Sequence, residues 1–251
     1  FGDEITRLII KKVFKRDYVW APASTCDMIG AGSILAEVYE TKADNKPFVW
    51  TSGFIEARDL TVPINAFQFC AVRGELTRSR IVGENASNLR LGDAGLLASY
   101  LLPTLRPRKK YLIGIVPHYK DLDTEFIRAL SHRPEIHIID PTRPCLDVIK
   151  DIYRCKSIIS SSLHGLIVAD SLGIPNRHVA ISDRVEGGDY KFKDYYSAFC
   201  NSSRYAPLDA EHVVTLSSRQ LYNEIAATYI LPEDLPAIKR DILESFPVQL
   251  L

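Results

Sequence analysis

The sequence lacks an excess of either charge, and it lacks any long apolar run. Its 251 residues include 31 Lys and Arg and 31 Asp and Glu, so the formal net charge is zero. Without a basic block, nucleic acid is not expected as a partner. No apolar run approaches the roughly 20 residues that a membrane-spanning helix needs, and no signal peptide is recognisable. We therefore expect a cytoplasmic protein, associated at most peripherally with the inner face of a membrane.

Metal-ligand patterns are missing as well. The chain has five cysteines, an odd number, and no two of them form a C-x-x-C pair. The six histidines show no zinc-type spacing. We interpret the cysteines as free thiols in a reducing compartment, and we expect neither a metal site nor a bound cofactor.

What the chain does contain is a regular alternation of short apolar runs and amphipathic stretches. This alternation predicts an α/β fold with parallel strands and helices on both faces of the sheet. A Pro- and Arg-rich stretch, Pro103–Lys110, predicts a linker. We expect one domain over residues 1–105, a second over 106–232, and a C-terminal helix in 233–251 that packs back on the first domain.

Three local predictions follow from the same pattern. Tyr18–Ala21 is predicted as a short strand, and Val213–Tyr229 as one long helix. The chain begins at Phe1, without methionine, within what looks like a turn into a helix. We expect that the natural N-terminus, including a first strand, is missing.

The most informative stretch is Ser157–Pro175. It predicts a buried strand, a turn of serines, and a helix closed by Gly173, with His164 at the turn. In an open α/β sheet, ligands bind beyond the carboxyl ends of the strands, and a helix N-terminus favours an anion. A histidine with its ordinary pKa near 6.5 can exchange protons at neutral pH. From the residues alone, a structural role and a functional role for His164 are about equally supported.

Other predicted strands also end in polar or small residues. Gly30-Ala31-Gly32-Ser33 is a glycine turn, but it lacks the third glycine of a dinucleotide-binding fingerprint. Arg73 directly follows a strand, where binding of a carboxylate or phosphate competes with an ordinary surface position. The remaining candidates for ligand binding could instead form a turn, cap a helix or be solvated surface charges. They are Asp93, His118, Arg184, Lys191 and Lys193.

Six segments, in this order along the chain, resemble the motifs of the polysaccharide pyruvyl transferases. The last of them resembles the branch that includes the xanthan ketal pyruvate transferases. The segments are Phe1-Gly2-Asp3-Glu4, Ala71-Val72-Arg73-Gly74, Leu91-Gly92-Asp93-Ala94, Val116-Pro117-His118-Tyr119, Ile158–Ile167 with its Ser-Leu-His-Gly core, and Lys191-Phe192-Lys193-Asp194-Tyr195-Tyr196.

The resemblance implies two Rossmann-like domains that face each other across a cleft, as in the B-type glycosyltransferases. It implies transfer of pyruvate from phosphoenolpyruvate to two hydroxyls of one sugar in an exopolysaccharide or surface-glycan repeat unit. The products are a cyclic ketal and phosphate, and the acceptor is expected to be a lipid-linked oligosaccharide. No cofactor or metal is implied.

The resemblance also suggests residue roles. His164 is expected to be the general acid, and Arg73 is expected to hold the donor anion. Many family members carry arginine directly before the Leu-His pair, where this chain has Ser162. The expected donor-binding residues are Ser161, Ser162, Leu163, Gly165, Arg184, Lys191 and Lys193. The expected acceptor or cleft residues are Asp3, Gly32, Ser33, Asp93, His118 and Tyr195.

Two alternatives remain open at this point. One is a nucleotide-sugar-dependent glycosyltransferase of the same architecture, although no acidic ribose-binding signature is found in the second domain. The other is a glycan-binding protein without activity, which only the serine at position 162 favours.

Overall fold

The computed structural model describes residues 1–2, 4–42, 45–103, 107–201 and 205–250. The chain forms two compact units, each built from several stretches of sequence. The histidine unit comprises residues 1–4, 95–186 and 203–231, and the arginine unit comprises 5–94, 187–202 and 232–251. We name them after His164 and Arg73, which they respectively contain.

The histidine unit is built on a four-stranded parallel sheet in the order β10-β9-β7-β8. Its strands alternate with helices, and apolar side chains of Ile113, Ile115 and Ile159 lie in its core. The strands are β7 (Tyr111–Val116), β8 (Ile136–Ile138), β9 (Cys155–Ser160) and β10 (Asn176–His178). The helices are α4 (Glu125–Ser131), α5 (Cys145–Tyr153), α6 (Leu163–Ser171), α8 (Ala210–Thr215) and α9 (Ser218–Thr228).

The arginine unit contains a second parallel sheet, in the order β1-β2-β4-β6, and a two-stranded sheet of β3 and β5. The strands are β1 (Met28–Ile29), β2 (Phe48–Ser52), β3 (Val62–Pro63), β4 (Gln68–Val72), β5 (Ile81–Val82) and β6 (Arg90–Leu91). The helices are α1 (Glu4–Lys12, which begins at the boundary between the units), α2 (Leu35–Glu40), α3 (Glu75–Arg78), α7 (Tyr190–Tyr196) and α10 (Leu235–Glu244).

The predicted fold class is confirmed at the level of the sheets. Both main sheets are parallel and their strands alternate with helices, which is compatible with Rossmann-like halves. Consecutive β-α units bury the apolar strands between helices, so these strands read as nearly continuous apolar runs.

The units are discontinuous, whereas the sequence predicted contiguous domains at 1–105 and 106–232. Residues 187–202 lie in the arginine unit because Asp194 on α7 hydrogen-bonds to Arg73 and Thr77. The C-terminal helix α10 lies in the same unit, where the indole N–H of Trp50 donates to the carbonyl oxygen of Ile242 at 3.1 Å. These contacts join residues more than a hundred positions apart, which no local pattern reveals.

Two local predictions are wrong. Tyr18–Ala21 forms no strand: Tyr18, Val19 and Trp20 are solvent-exposed, and none of the four residues pairs with a sheet. The predicted helix at 213–229 is divided into α8 and α9. The reason for the break is Ser217, which starts α9 with a capping box: its hydroxyl accepts from the Gln220 N–H, and the Gln220 side chain accepts from the Ser217 N–H.

Among the described residues, no helix combines the length and the apolar character needed to cross a membrane.

A buried carboxylate stabilises the histidine unit in a pH-dependent way. Burial raises the pKa of Asp151, but the hydrogen bond from Arg143 and the nearby His137 outweigh it, so the pKa lies below its usual range. A carboxyl group with a lowered pKa in the folded state contributes stability above its unfolded pKa, about 3.9. That contribution is lost as the pH falls through the lower, folded-state pKa.

We therefore expect Asp151→Asn to lower the free energy of unfolding at pH 7, and this difference from wild type to shrink as the pH approaches 3. Urea denaturation across this pH range measures it. The control is Asp147→Asn, because Asp147 lies on the same helix and its carboxylate makes an exposed contact with Lys150 at 3.4 Å. An Asp151→Asn deficit that stays constant with pH would contradict the charge-based explanation.

Candidate functional site

Three consecutive serines form the turn between β9 and α6. The Ser160 hydroxyl lies 2.6 Å from the carbonyl oxygen of Val116 and accepts a hydrogen bond from the Ser162 N–H at 3.0 Å. Ser160 and Val116 are register partners at the ends of β9 and β7, so this hydroxyl joins the two strand ends. Ser162 is the N-cap residue of α6, with extended backbone and no side-chain capping hydrogen bond.

A buried carboxylate connects three loops at this edge of the sheet. Asp121 is fully buried, and its two oxygens accept hydrogen bonds from the hydroxyls of Ser161 at 2.6 Å and Ser182 at 2.5 Å. The Ser161 hydroxyl also accepts from the backbone N–H of His118 at 2.9 Å. The loops that follow β7, β9 and β10 are therefore held together by one side chain. Sequence reasoning missed Asp121; the available signal was an acidic residue shortly after a predicted strand end.

His164 is the second residue of α6 and is 8% exposed. The backbone of Gly2 lies against its ring: a Cβ atom on Gly2 would come within 2.4 Å of His164 Nδ1. Only glycine fits this position without displacement of the ring or of the chain. Two of the motifs recognised in the sequence, the Gly-Asp opening and the Leu-His-Gly segment, thus meet in one unit. Asp3, a predicted cleft residue, lies outside the described residues.

The neighbours of His164 pack inward. Leu163 is buried at the start of α6. A Cβ on Gly165 would come within 2.3 Å of Ser160 Oγ and 2.9 Å of Val116 Cβ. Glycine at position 165 therefore allows the first turn of the helix to pack closely on β7 and β9. The first-turn N–H groups of such a helix have no intrahelical acceptors, which makes this end suitable for an anion.

We expect Asp121→Asn to lower the free energy of unfolding by about 1.5–3 kcal/mol, because one charge-assisted acceptor is replaced by an amide N–H₂ that faces a hydroxyl donor. Chemical denaturation measures this loss. The matched control is Asp123→Asn: Asp123 lies two positions away, is exposed, and pairs with Arg184 at 2.7 Å. An equal response of both variants would show that Asp121 does not organise the loops.

We expect Gly2→Ala to reduce turnover by about tenfold to a hundredfold with little change in thermal stability. The added methyl group displaces the His164 ring or the N-terminal segment, and misplacement by about 1 Å is known to cost up to a hundredfold in rate. Steady-state kinetics beside a thermal unfolding curve measure both quantities. As a control, Gly173→Ala changes a glycine at the far end of α6 with no atom near its Cβ position. Because Gly173 has a φ of 64°, that control is expected to affect stability and not turnover.

Arg73 lies at the end of β4 in the arginine unit, and its guanidinium is fully buried. Nε donates to Asp194 at 2.8 Å, Nη1 donates to the Ser33 hydroxyl at 2.6 Å, and Nη2 donates to the carbonyl oxygen of Phe54. Arg73 thus connects the ends of several segments of this unit. Its predicted contact with a donor anion stays a prediction, and these three partners count against it.

Asp194 completes this ion pair. Its oxygens also accept from the backbone N–H and the hydroxyl of Thr77, both at 2.7 Å. A Cβ on Gly74 would lie 1.7 Å from the carbonyl oxygen of Asp194, so α7 approaches α3 at a distance that only glycine allows. The Val-Arg-Gly motif and the Asp-Tyr-Tyr segment, which sequence reasoning treated separately, therefore form one buried cluster.

The remaining predicted cleft residues are structurally embedded. The Gly32 carbonyl accepts from the Gly53 N–H at 2.9 Å, which fastens the glycine turn to the end of β2. Asp93 is fully buried after β6. Tyr195 is also fully buried and makes edge contacts with Tyr196 and Phe199. His118, in contrast, is half-buried, and its Nδ1 accepts from the Lys120 N–H at 3.3 Å.

The three predicted donor cations differ in environment. Arg184, in the histidine unit, is exposed, and its Nη1 lies near the Lys120 carbonyl at 3.2 Å. Lys191 is buried in the arginine unit, and Lys193 is exposed there, 3.6 Å from Asp189. The histidine unit thus gathers seven of the predicted residues near the ends of β7, β9 and β10: His118, Ser161, Ser162, Leu163, His164, Gly165 and Arg184.

Comparison with known proteins agrees with this set of motifs. The chain is 29% identical over 205 residues to an uncharacterized protein of Acanthamoeba polyphaga mimivirus, covering 79% of this chain and 70% of that protein. It is 26% identical over 169 residues to the succinoglycan biosynthesis protein ExoV of Rhizobium meliloti (strain 1021), covering 67% of this chain and about half, 52%, of ExoV. No solved structure shows significant similarity.

A family model described as polysaccharide pyruvyl transferase matches residues 5–183, which include the whole of the Ser160–His164 turn and the Arg73 cluster apart from α7. With that match over most of its length, the chain belongs to the polysaccharide pyruvyl transferase family.

Proposed function

We propose that this chain transfers pyruvate from phosphoenolpyruvate to two hydroxyls of one sugar in a polysaccharide or its repeat unit. The products are a cyclic pyruvate ketal and inorganic phosphate. The observation that supports this most is the placement of His164 at the start of α6, beside the Ser160–Ser162 turn, in a chain of this family. This placement brings a titratable side chain to a helix N-terminus that is suited to binding an anion.

The reaction balances with two proton transfers. C3 of the enol ester gains one proton, and C2 becomes electrophilic. Both sugar hydroxyls add to C2 and each loses its proton, while the bond between C2 and the phosphate oxygen breaks. One hydroxyl proton restores the proton that the general acid delivered to C3, and the other hydroxyl proton leaves on the released phosphate. We assign the delivery of the first proton to His164, because an imidazole exchanges protons near neutral pH. We propose that neither a metal nor an organic cofactor takes part.

The donor carries a carboxylate and a phosphate, and we propose that the N-terminus of α6 binds one of them. Ser162 occupies the position where an arginine is expected, so another cation must supply charge. Arg184 and Lys120 are our candidates, because they lie in loops that Asp121 holds beside the serine turn. Their ion pairs with Asp123 and Glu186 are exposed and therefore exchangeable.

We further propose that the two units are Rossmann-like halves of the kind found in the B-type glycosyltransferases, and that the protein works in the cytoplasm on a lipid-linked oligosaccharide. In this proposal the arginine unit, which contains Ser33, Asp93 and Tyr195, binds the acceptor. Arg73 acts in this proposal as the buried centre of its unit.

The test is incubation of the protein with phosphoenolpyruvate and a panel of oligosaccharides. We expect release of phosphate together with a product whose mass has grown by one pyruvate less one water. Thermal unfolding with phosphoenolpyruvate or with nucleotide sugars separates the alternatives, because a ligand at 100 times its Kd adds about 2.7 kcal/mol of stability. Stabilisation by nucleotide sugars alone, without phosphate release, would overturn the proposal.

A further inference from the structure

The end of α1 and the residues that follow it, which include most of the wrongly predicted strand, form an exposed basic and aromatic surface. Residues 11–20 have the sequence KKVFKRDYVW, with four basic side chains and one acidic, in a chain whose formal net charge is zero. Tyr18 is 43% exposed, Val19 92% and Trp20 68%. We call residues 11–20 the basic-aromatic segment.

The middle of this segment, around Phe14 and Arg16, is attached to the rest of the arginine unit. Phe14 stacks on Phe246 with ring centroids 3.9 Å apart and makes an edge contact with Trp50 at 5.7 Å. The Arg16 N–H donates to the carbonyl oxygen of Ile10 at 3.2 Å. The three exposed apolar side chains therefore follow a stretch that is attached to the unit through the half-buried ring of Phe14.

Exposing such side chains in water costs free energy unless something covers them. Tryptophan and tyrosine are enriched at membrane–water interfaces, and neighbouring lysines and arginines attract anionic headgroups. The exposed Val19 favours a membrane over a nucleic acid as the partner, because an aliphatic side chain has no ring face for stacking on a base. The combination of charge and exposed apolar area fits the surface of an anionic bilayer.

We infer that the basic-aromatic segment is the surface by which this protein docks onto anionic membranes. Trp20, Val19 and Tyr18 enter the interface, and Lys11, Lys12, Lys15 and Arg16 contact lipid headgroups. Its purpose rests on the proposed function, since it would hold the enzyme beside a lipid-linked acceptor. Docking itself requires neither donor nor acceptor, so it is measured without them, and its failure would leave pyruvyl transfer untouched.

The two tryptophans of the chain provide the readout. Trp50 is fully buried, so its emission is not expected to respond to lipid, whereas Trp20 is exposed. We expect vesicles of phosphatidylcholine with phosphatidylglycerol to shift the emission of Trp20 to shorter wavelength and to sediment with the protein. Trp20→Phe should abolish the shift while sedimentation persists. Vesicles of phosphatidylcholine alone should bind much more weakly.

Removal of positive charge tests whether the basic side chains of the segment contribute to vesicle binding. Lys15→Gln combined with Arg16→Gln should weaken vesicle binding by about twenty-fivefold, at roughly fivefold for each cation near the surface. Lys150→Gln with Lys156→Gln removes the same charge from an exposed part of the histidine unit and should leave binding unchanged. Binding should also fall as salt is raised, because the Debye length is only about 10 Å at 0.1 M.

Equal binding to neutral and anionic vesicles would overturn the inference, as would equal losses in both double variants. Tight binding to polyuridylate without vesicle binding would overturn it too, in favour of a nucleic acid partner.

Discussion

Replacement of His164 by glutamine is expected to reduce phosphate release from phosphoenolpyruvate by about 10²–10⁴-fold, which is the usual contribution of a positioned general acid or base. Glutamine retains a polar group of similar reach but does not exchange protons near neutral pH. The turn is held by the hydrogen bond from the Ser160 hydroxyl to the Val116 carbonyl and by the hydrogen bond from the Ser161 hydroxyl to the Asp121 carboxylate. We therefore expect the fold to be preserved, as measured by circular dichroism and the unfolding midpoint.

The control for this experiment is His178→Gln. His178 is as well buried as His164, lies in the same unit at the end of β10, and contacts the Tyr205 hydroxyl at 2.9 Å. Its replacement should affect stability without a large loss of turnover. Phosphate release near the wild-type rate from His164→Gln would remove His164 from the mechanism, whatever the control shows.

The strand, turn and helix around His164 could be predicted because the signals there are local. Ile158 and Ile159 form an apolar run, three serines interrupt it, and Gly173 ends the helix. The predicted strand at 157–160 and helix at 164–172 agree with β9 and α6 to within two residues at each end.

The Asp121 network could not be predicted in the same way. Asp121 contacts Ser161 and Ser182, which are 40 and 61 positions away. Those contacts exist because parallel register brings the ends of β7, β9 and β10 to one edge of the sheet. The sequence around Asp121 reads as an ordinary polar loop, and nothing local marks its carboxylate as buried.

Arg73 shows a different limit, because the sequence located this residue at a strand end but did not reveal its internal partners. An arginine at a strand end is well placed for an anion, and the sequence predicted a substrate anion there. The partner found in the structure is Asp194, 121 positions further along the chain. A buried internal carboxylate and an anionic substrate satisfy a guanidinium in the same way, so the residue type alone does not distinguish them.

Breaking the Arg73–Asp194 pair is expected to cause the largest loss of stability. We expect Arg73→Met or Asp194→Asn to lower the free energy of unfolding of the arginine unit by about 3–5 kcal/mol, because each leaves a buried partner without its counter-charge. Both side chains are fully buried. Urea denaturation followed by the emission of Trp50, in a Trp20→Phe background, reports on this unit.

The double variant, Arg73→Met with Asp194→Asn, separates the pair from the two positions. The double variant leaves no charge in the cluster. Its loss of unfolding free energy should therefore be smaller than the sum of the losses of the two single variants, by about 0.5–3 kcal/mol. Arg58→Gln is the exposed control, because Arg58 pairs with Glu40 and Glu56 at the surface and its removal should cause no measurable change. If Arg73→Met instead unfolds like wild type while its KM for phosphoenolpyruvate rises, Arg73 is the donor contact that the sequence predicted. Loss of stability with an unchanged KM in the folded fraction would establish it as the structural centre of its unit.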